Sequence, residues 1–236
     1  MRSIMVLNAK GGCGKSTIAT NLASYFAVEG KNTTLVDFDP QRSSLEWLAA
    51  RDPERPTITG VDGTTETFKA SKSCDVAIYD VPAVTHGKDL ANFVRRTETI
   101  IMPVLPSPMD IRAASHFVQE LRELSKVERN EVKIALVANR VRENTVVYHK
   151  LSVFLKSLKI PFIATLRDTQ NYIRAADRGL GIFELAPSAD RAVVCDALGR
   201  IPGIAYFSPA WCIPADMAAF AETALALLEG RTRSTP

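Results

Sequence analysis

The stretch KGGCGKST, residues 10–17, decides the fold of this 236-residue chain. It follows a short apolar run and precedes a longer amphipathic segment. A glycine-rich loop between a strand and a helix lets several backbone N–H groups converge on one phosphate at the helix N-terminus. Lys15 then supplies a positive charge for the β- and γ-phosphates, and the Ser16 hydroxyl can ligate Mg²⁺. The pattern predicts a nucleotide site formed by Gly11, Gly12, Cys13, Gly14, Lys15, Ser16 and Thr17.

The rest of the chain alternates short apolar runs with amphipathic segments, which is typical of βαβ units around a parallel sheet. Because the apolar runs are uninterrupted, we expect the strands to be buried on both faces. We therefore predict a single α/β domain over residues 1–236, with a mostly parallel twisted sheet, helices on both faces, and a C-terminal extension and helix at 201–236. The expected strands are 3–8, 33–37, 76–80, 99–104, 133–139 and 162–165. The expected helices are 16–29, 43–51, 88–95, 111–126, 145–158, 169–178, 189–198 and 216–228, with Gly30 ending the first and Asp110 and Asp216 as N-caps.

Composition excludes several classes of protein. With 46% hydrophobic and 23% charged residues, the chain is neither disordered nor fibrous. The longest stretch without charge, 201–215, contains three prolines and falls short of the roughly 20 residues that span a bilayer. The apolar run after Met1 is too brief for a secretory signal, so we expect a cytoplasmic protein. The four cysteines lack metal-ligand spacing and are expected to be reduced thiols.

Positive charge is concentrated in one region. Residues 133–178 contain nine Lys and Arg against three acidic residues, a net charge of +6, whereas the whole chain is only +3. Such a segment predicts contact with a polyanion.

The phosphate loop departs from the common pattern GxxxxGK[ST], because Ala9 stands where that pattern has glycine and Lys10 adds a second lysine. In this KGGxGK[ST] form the chain resembles the ParA/MinD family of deviant Walker A ATPases. The resemblance implies a P-loop NTPase fold and ATP hydrolysis with Mg²⁺. It also implies an ATP-sandwich homodimer, in which Lys10 of each copy reaches the nucleotide held by Lys15 of the other.

Two acidic segments extend the resemblance. LVDFDPQ, residues 35–41, is similar to the family's DxDPQ segment, which implies that Asp39 orients or deprotonates the attacking water and Asp37 holds a Mg²⁺-bound water. Carboxylates two positions apart at a strand end point to the same side, which fits one metal–phosphate centre. VAIYDVP, residues 76–82, is similar to a Walker B strand, which implies that Asp80 contacts Mg²⁺ through water. Read without the phosphate loop, the first segment is also compatible with an acidic turn at Pro40.

A further pair, Asn139 and Arg140, resembles the family's adenine-contacting residues, and residues 106–110 resemble its loop after the preceding strand. Both segments are equally compatible with ordinary turn chemistry. By the spacing of these motifs the resemblance extends from Met1 to about Pro187.

The resemblance also suggests partners. It implies that the ATP-bound dimer binds nonspecific DNA on the nucleoid and releases it when a ParB-like or McdB-like adaptor stimulates hydrolysis. The cargo would be a plasmid, a chromosome or a protein assembly. The amino-acid sequence of the motifs is most similar to the McdA-like branch, which positions carboxysomes. The basic residues expected to contact DNA are Lys150, Lys156, Lys159, Arg167, Arg174 and Arg178, although each alone is compatible with a solvated helix face.

Two other functions are compatible with the same scaffold. A MinD-like membrane ATPase needs a basic C-terminal amphipathic helix, but segment 216–228 carries acidic charges that anionic lipid repels, so no stable membrane association is expected. A metabolic P-loop ligase stays open, because its substrate pocket need not show in the sequence. An iron protein would need cluster cysteines that the spacing does not supply. An ATPase assay with DNA or with candidate acids separates the ligase from the DNA-binding ATPase.

Overall fold

A computed structural model describes residues 1–65, 71–83, 85–142, 144–185, 220–224 and 226. Within these ranges the strands are β1 (Arg2–Val6), β2 (Thr33–Asp37), β3 (Ile58–Asp62), β4 (Val76–Asp80), β5 (Thr99–Val104), β6 (Lys133–Val141) and β7 (Phe162–Arg167). The helices are α1 (Lys15–Val28), α2 (Ser43–Ala49), α3 (Gly87–Val94), α4 (Pro108–Arg122), α5 (Ser125–Glu128), α6 (Val146–Ser157) and α7 (Asn171–Ala176), followed by a 3₁₀ turn at Ile182–Glu184. Residues 220–224 and 226 are helical, as expected for 216–228. The helix expected at 189–198, the Asp216 cap and segment 201–215 lie outside the described residues.

The strands form one parallel sheet in the order β3-β2-β4-β1-β5-β6-β7, which confirms the predicted α/β fold. The six expected strands are present. The sequence analysis missed β3, which pairs with β2 at the sheet edge and is buried only at Ile58. An edge strand with one covered end needs no continuous apolar run, so it leaves little signal in the sequence.

Alternate residues of each strand enter two separate cores, because successive side chains of a strand point to opposite faces. On one face Met5, Val36 and Tyr79 pack with α3, α4 and α6. On the other face Ile4, Leu35 and Ile78 pack with α1 and with Trp47 of α2. Both faces are therefore covered by helices, as the apolar strands predicted.

The helix ends follow capping rules, with one correction. Gly30 adopts a φ of +75° just after α1, as expected for a C-terminal glycine. Asp110 was wrongly assigned as an N-cap. Pro108 takes the first helical position, where no N–H is needed, and the Ser107 hydroxyl accepts the Asp110 N–H at 3.1 Å. The helix expected at 111–126 is interrupted at Leu124, whose extended backbone separates α4 from α5.

A strap at residues 179–184 ties the end of the described domain to α1 and α2. Arg51 and Glu184 form a bidentate ion pair, in which the two guanidinium nitrogens each donate to one carboxylate oxygen at 2.8 Å. Their side chains are 4% and 3% exposed. Trp47 donates from its indole nitrogen to the Leu180 carbonyl. In the described part of the chain, no helix has the length and apolar character needed to cross a membrane.

Candidate nucleotide-binding site

The predicted site residues gather at the carboxyl edge of the sheet. Asp80 at the end of β4 is in register with Val6 at the end of β1 on one side and with Asp37 at the end of β2 on the other. The phosphate loop leaves β1 at this edge and enters α1 at Lys15. Ligands of open α/β sheets bind at this edge, which is where the sequence analysis expected them.

Side chains beneath the loop hold its two ends. The Asn8 amide donates to the Pro103 carbonyl at 2.6 Å, and its oxygen accepts the Lys10 N–H at 3.0 Å. Asn8 is 2% exposed, so these bonds are shielded from water. The start of the loop is therefore fixed to β5 as well as to β1.

The far end of the loop rests on β6. Asn139 donates from its amide nitrogen to the Cys13 carbonyl at 2.8 Å. Gly14 has a φ of +90°, and a Cβ there would lie 2.3 Å from the Asn139 amide nitrogen. Only glycine fits this position, for both its backbone conformation and its close approach to Asn139.

Inside the loop, the groups expected to meet phosphate differ in exposure. Lys15 is 8% exposed and lies at the first residue of α1, whereas the neighbouring Ser16 and Thr17 are accessible. Gly12 has a φ of +73°, and a side chain there would meet no other group. The first turn of α1 contains no acidic residue, so its N–H groups present positive potential to an anion.

Cys13 contributes backbone rather than thiol chemistry. Its Sγ donates to the Lys10 carbonyl at 3.2 Å, and the side chain is fully buried. Burial raises the pKa of the Cys13 thiol, against the opposing charge of Lys15. The thiol therefore stays protonated and serves to close the loop.

Asp37 has a structural role that the sequence did not reveal. One oxygen accepts the Asp39 N–H at 2.9 Å, and the other accepts the Ser44 N–H at 3.0 Å and the Ser44 hydroxyl at 2.7 Å. The same oxygen also accepts the Leu45 N–H at 3.2 Å. Asp37 thus holds the first turn of α2 in place, and its expected contact with a Mg²⁺-bound water stays a prediction.

Asp80 is the unsatisfied carboxylate of the site. It is 1% exposed, and neither oxygen has a hydrogen-bond partner within the geometric limits among the described residues. Burial, together with the charge of Asp37, raises the pKa of Asp80 to about 7, although the Ser16 hydroxyl and the Lys15 ammonium act in the opposite direction. A buried carboxylate without donors is costly unless a cation or a donor joins it. Its two free oxygens near the Ser16 hydroxyl fit the oxygen ligands and bound waters that Mg²⁺ prefers.

Asp39 occupies a half-buried turn beside this centre. Its N–H donates to Asp37, and its Oδ1 accepts the Gln41 N–H at 2.9 Å. Arg42 follows with a φ of +54° and pairs with Asp62 at 3.4 Å. The Asp39 carboxylate can accept further hydrogen bonds and is partly open to solvent, and its contact with the attacking water stays a prediction.

The expected adenine pair and its neighbouring loop lie at the same edge. The amide nitrogen of Asn139 donates to the Cys13 carbonyl, and its amide oxygen accepts the Arg140 N–H at 2.9 Å. Arg140 has a φ of +52°, and its guanidinium lies 3.8 Å from Asp168. Asp110 is 8% exposed, and one of its oxygens has no hydrogen-bond partner among the described residues. The structure thus assigns Asn139 to holding the loop, and its contact with adenine stays a prediction.

The basic residues expected to contact DNA lie around β7, the edge strand opposite β3. Arg167 ends β7 and is half-buried. The other five are exposed on or beside α6 and α7: Lys150, Lys156, Lys159, Arg174 and Arg178.

The phosphate loop, the two acidic strand ends and the sheet order together specify a family. The CobQ/CobB/MinD/ParA nucleotide binding domain, CbiA, matches residues 4–182. The chain belongs to this family. Its members hydrolyse ATP, so the chain is a nucleotide-binding ATPase of the ParA/MinD type.

Named relatives share most of this ParA/MinD-type chain. It is 27% identical over 190 residues to maintenance of carboxysome distribution protein A of Halothiobacillus neapolitanus, which covers 78% of this chain and 87% of the relative. It is 30% identical over 192 residues to the protein of the same name from Gloeobacter kilaueensis, which covers 78% and 84%. Its fold is similar to that of an ATP complex of McdA from Cyanothece, with a TM-score of 0.66, 13% identity and coverage of 100% and 99%.

The sequence analysis missed several residues that shape this ParA/MinD-type site. Asn8 could have been found from its position two residues before Lys10, since Asn commonly accepts from its own backbone two residues on. Ser44 could have been found as a hydroxyl in the first turn of α2. The partnership of Asn139 with the phosphate loop joins residues 126 positions apart and leaves no local signal.

Proposed function

We propose that two copies of this ATPase enclose two ATP molecules, bind nonspecific DNA in that state, and separate after hydrolysis. The observation that carries the proposal is the contrast between the two lysines of the phosphate loop. Lys15 is buried against its own loop, whereas Lys10 is half-exposed and, among the described residues, forms no ion pair. A cation that its own chain does not neutralise is available to a nucleotide held by another copy.

Apolar side chains at the same sheet edge support the dimer. Met109 at the start of α4 is 65% exposed, and Val146 at the start of α6 is 73% exposed. Both helices begin at the carboxyl edge of the sheet, where the phosphate loop lies. A second copy facing this edge would remove both side chains from water, which favours association.

The ATPase chemistry follows from the surrounding residues. Backbone N–H groups of residues 11–16 and Lys15 would bind the phosphates, and Lys10 of the other copy would stabilise charge that develops on the γ-phosphate. Bound Mg²⁺, held through Ser16 and Asp80, would neutralise phosphate charge. Asp39 would orient the attacking water and accept its proton. Loss of the γ-phosphate removes charge from between the two lysines and weakens the dimer.

The basic surface and the named relatives support a positioning role. Six basic residues lie near one sheet edge, and dimerisation would double that surface. Relatives named for carboxysome distribution favour a protein assembly as the cargo, with a plasmid or chromosome as the alternative. We propose that an adaptor of the ParB or McdB type stimulates hydrolysis and that the protein is cytoplasmic and associates with the nucleoid.

The test compares Lys10→Ala with Lys15→Ala by light scattering after gel filtration, with ADP and with a slowly hydrolysed ATP analogue. Lys15→Ala should lose nucleotide binding, whereas Lys10→Ala should bind nucleotide and stay monomeric. Lys31→Ala, an exposed lysine beyond the far end of α1, is the matched control and should dimerise like the wild type. A Lys10→Ala protein that dimerises normally would contradict the proposal. An Asp39→Ala protein should accumulate as an ATP dimer that stays on DNA.

A further inference from the structure

Phe38 stands between the two carboxylates of residues 35–41, the switch segment, but its ring faces the other side of the sheet. Asp37 bonds to α2 on the α1 side, whereas Phe38 belongs to the core formed with α3, α4 and α6 and is 8% exposed. Because side chains alternate along extended backbone, the ring acts as an anchor on the face opposite the carboxylates.

Two aromatic rings pack edge-to-face against the Phe38 ring. Its ring centroid lies 5.8 Å from that of Tyr79, the residue before Asp80, with an angle of 75° between the planes. It lies 5.0 Å from that of Phe93 on α3, at 73°. Such edge-to-face pairs stabilise one relative orientation of the rings beyond the area that they bury. The ring therefore ties the switch segment to the strand of Asp80 and to the helix that follows it.

The backbone beside Phe38 is held on both sides. The Phe38 N–H donates to the Asp80 carbonyl at 2.9 Å, and the Gly63 N–H donates to the Asp37 carbonyl at 2.8 Å. A Cβ on Gly63 would lie 2.5 Å from the Phe38 ring. Since the φ of Gly63 is not in the left-handed region, space for the ring is what requires glycine there.

Asp39 has no comparable anchor of its own. Its described hydrogen bonds join it to Asp37, Gln41 and Arg42, all within the same turn. Its position is therefore set by the backbone that precedes it, which Phe38 holds. We propose that Phe38 is a positioning residue for Asp39 and that Gly63 provides the space that its ring requires. The inference rests on the hydrolytic role proposed for Asp39.

Phe38→Leu tests the proposal in steady-state ATPase assays of the full chain. It should lower kcat by about 10- to 100-fold, because a displacement near 1 Å of a reacting group has effects of that size. The KM for ATP and the affinity for nucleotide should stay within twofold, because the phosphate loop is held by side-chain hydrogen bonds of Asn8 and Asn139. Phe26→Leu is the matched control, since Phe26 is fully buried near the far end of α1, and it should leave kcat within twofold.

Gly63→Ala provides an independent perturbation. The added methyl group displaces the Phe38 ring and should lower kcat in the same way. Leucine at position 38 leaves room for that methyl group. Phe38→Leu should therefore lower kcat by a smaller factor in the Gly63→Ala background than in the wild type. If the double variant instead lowers kcat by the product of the two single effects, the proposed contact between Phe38 and Gly63 is overturned.

The decisive measurement uses an Asp39→Ala background. A residue that acts through Asp39 should have no further effect there, so Asp39→Ala and Phe38→Leu/Asp39→Ala should hydrolyse ATP at the same residual rate. A further tenfold loss in the double variant, or a folded Phe38→Leu protein with normal kcat, would overturn the inference. If Asp39→Ala alone hydrolyses normally, the role proposed for Asp39 fails first and the inference fails with it. Circular dichroism checks folding, and Phe38→Met replaces Phe38→Leu if the latter does not fold.

Discussion

Asp80 is expected to make the stability of the nucleotide-free protein fall as the pH rises. Its carboxyl is buried without a hydrogen-bond partner among the described residues, and burial raises its pKa from 3.8 to about 7. The folded chain therefore holds this proton more tightly than the unfolded chain does, and folding loses stability between these two pKa values. The stabilising contribution of the protonated form is complete at pH 3 and is lost by pH 8.

The size of the effect follows from the shift. At 1.36 kcal/mol for each pKa unit, the ionised carboxylate costs the folded state about 4 kcal/mol in total, of which about 2 to 3 kcal/mol falls between pH 5 and pH 8. Asp80→Asn removes the titration but keeps the shape. Relative to the wild type, the variant should therefore gain about 2 to 3 kcal/mol of unfolding free energy between pH 5 and pH 8, equivalent to a Tm change of about 5–10 °C.

Urea unfolding at pH 5 and pH 8, in EDTA and without nucleotide, measures this difference, and any effect of the amide that does not depend on pH cancels. Asp62→Asn is the control. A hydrogen bond from the Thr64 hydroxyl lowers the pKa of Asp62, so Asp62 finishes titrating below pH 5. The difference in unfolding free energy between the wild type and Asp62→Asn should therefore be constant from pH 5 to pH 8. If the difference between wild type and Asp80→Asn does not change with pH, Asp80 is not an isolated buried carboxyl. Saturating Mg²⁺ and ADP should raise wild-type stability more at pH 8 than at pH 5, and the variant should lose that dependence.

Three further predictions concern the loop, the strap and the basic surface. Gly14→Ala should abolish nucleotide binding, since its Cβ would lie 2.3 Å from the Asn139 amide nitrogen; fluorescence titration with a labelled nucleotide measures this, and normal affinity would contradict the packing. Arg51→Ala should lower the unfolding free energy by about 3–5 kcal/mol, because it leaves Glu184 charged and buried. Arg51→Ala and Glu184→Gln together should cost less than the sum of the two, and additive costs in urea would refute the coupling. For the ATP-bound dimer, the logarithm of DNA affinity should fall by about 0.9 for each phosphate contact per tenfold increase in salt. Lys156→Ala should reduce that slope, whereas Lys31→Ala should not; equal slopes would place the DNA surface elsewhere.

Local sequence patterns predicted most of the secondary structure and most of the candidate site residues of this protein. The loop at residues 10–17, the alternation of apolar strands with amphipathic helices, and Asp37, Asp39 and Asp80 at strand ends were all evident in the sequence. They were evident because glycine-rich turns, helix periodicity and strand burial are properties of neighbouring residues. The edge strand β3 was not, since it is buried at one end only.

Tertiary structure alone decided how the site is held. The contact between Asn139 and the phosphate loop, the isolation of the Asp80 carboxylate and the fit of the Phe38 ring against Gly63 each join segments that are distant in the chain. Hydrogen-bond partners and burial depend on which strands become neighbours in the sheet, and the pKa of Asp80 depends on both. The sequence by itself therefore determined which residues lie at the carboxyl edge of the sheet. Only the folded chain decided which of them are anchored, which have no hydrogen-bond partner among the described residues, and in which direction the pKa of Asp80 moves.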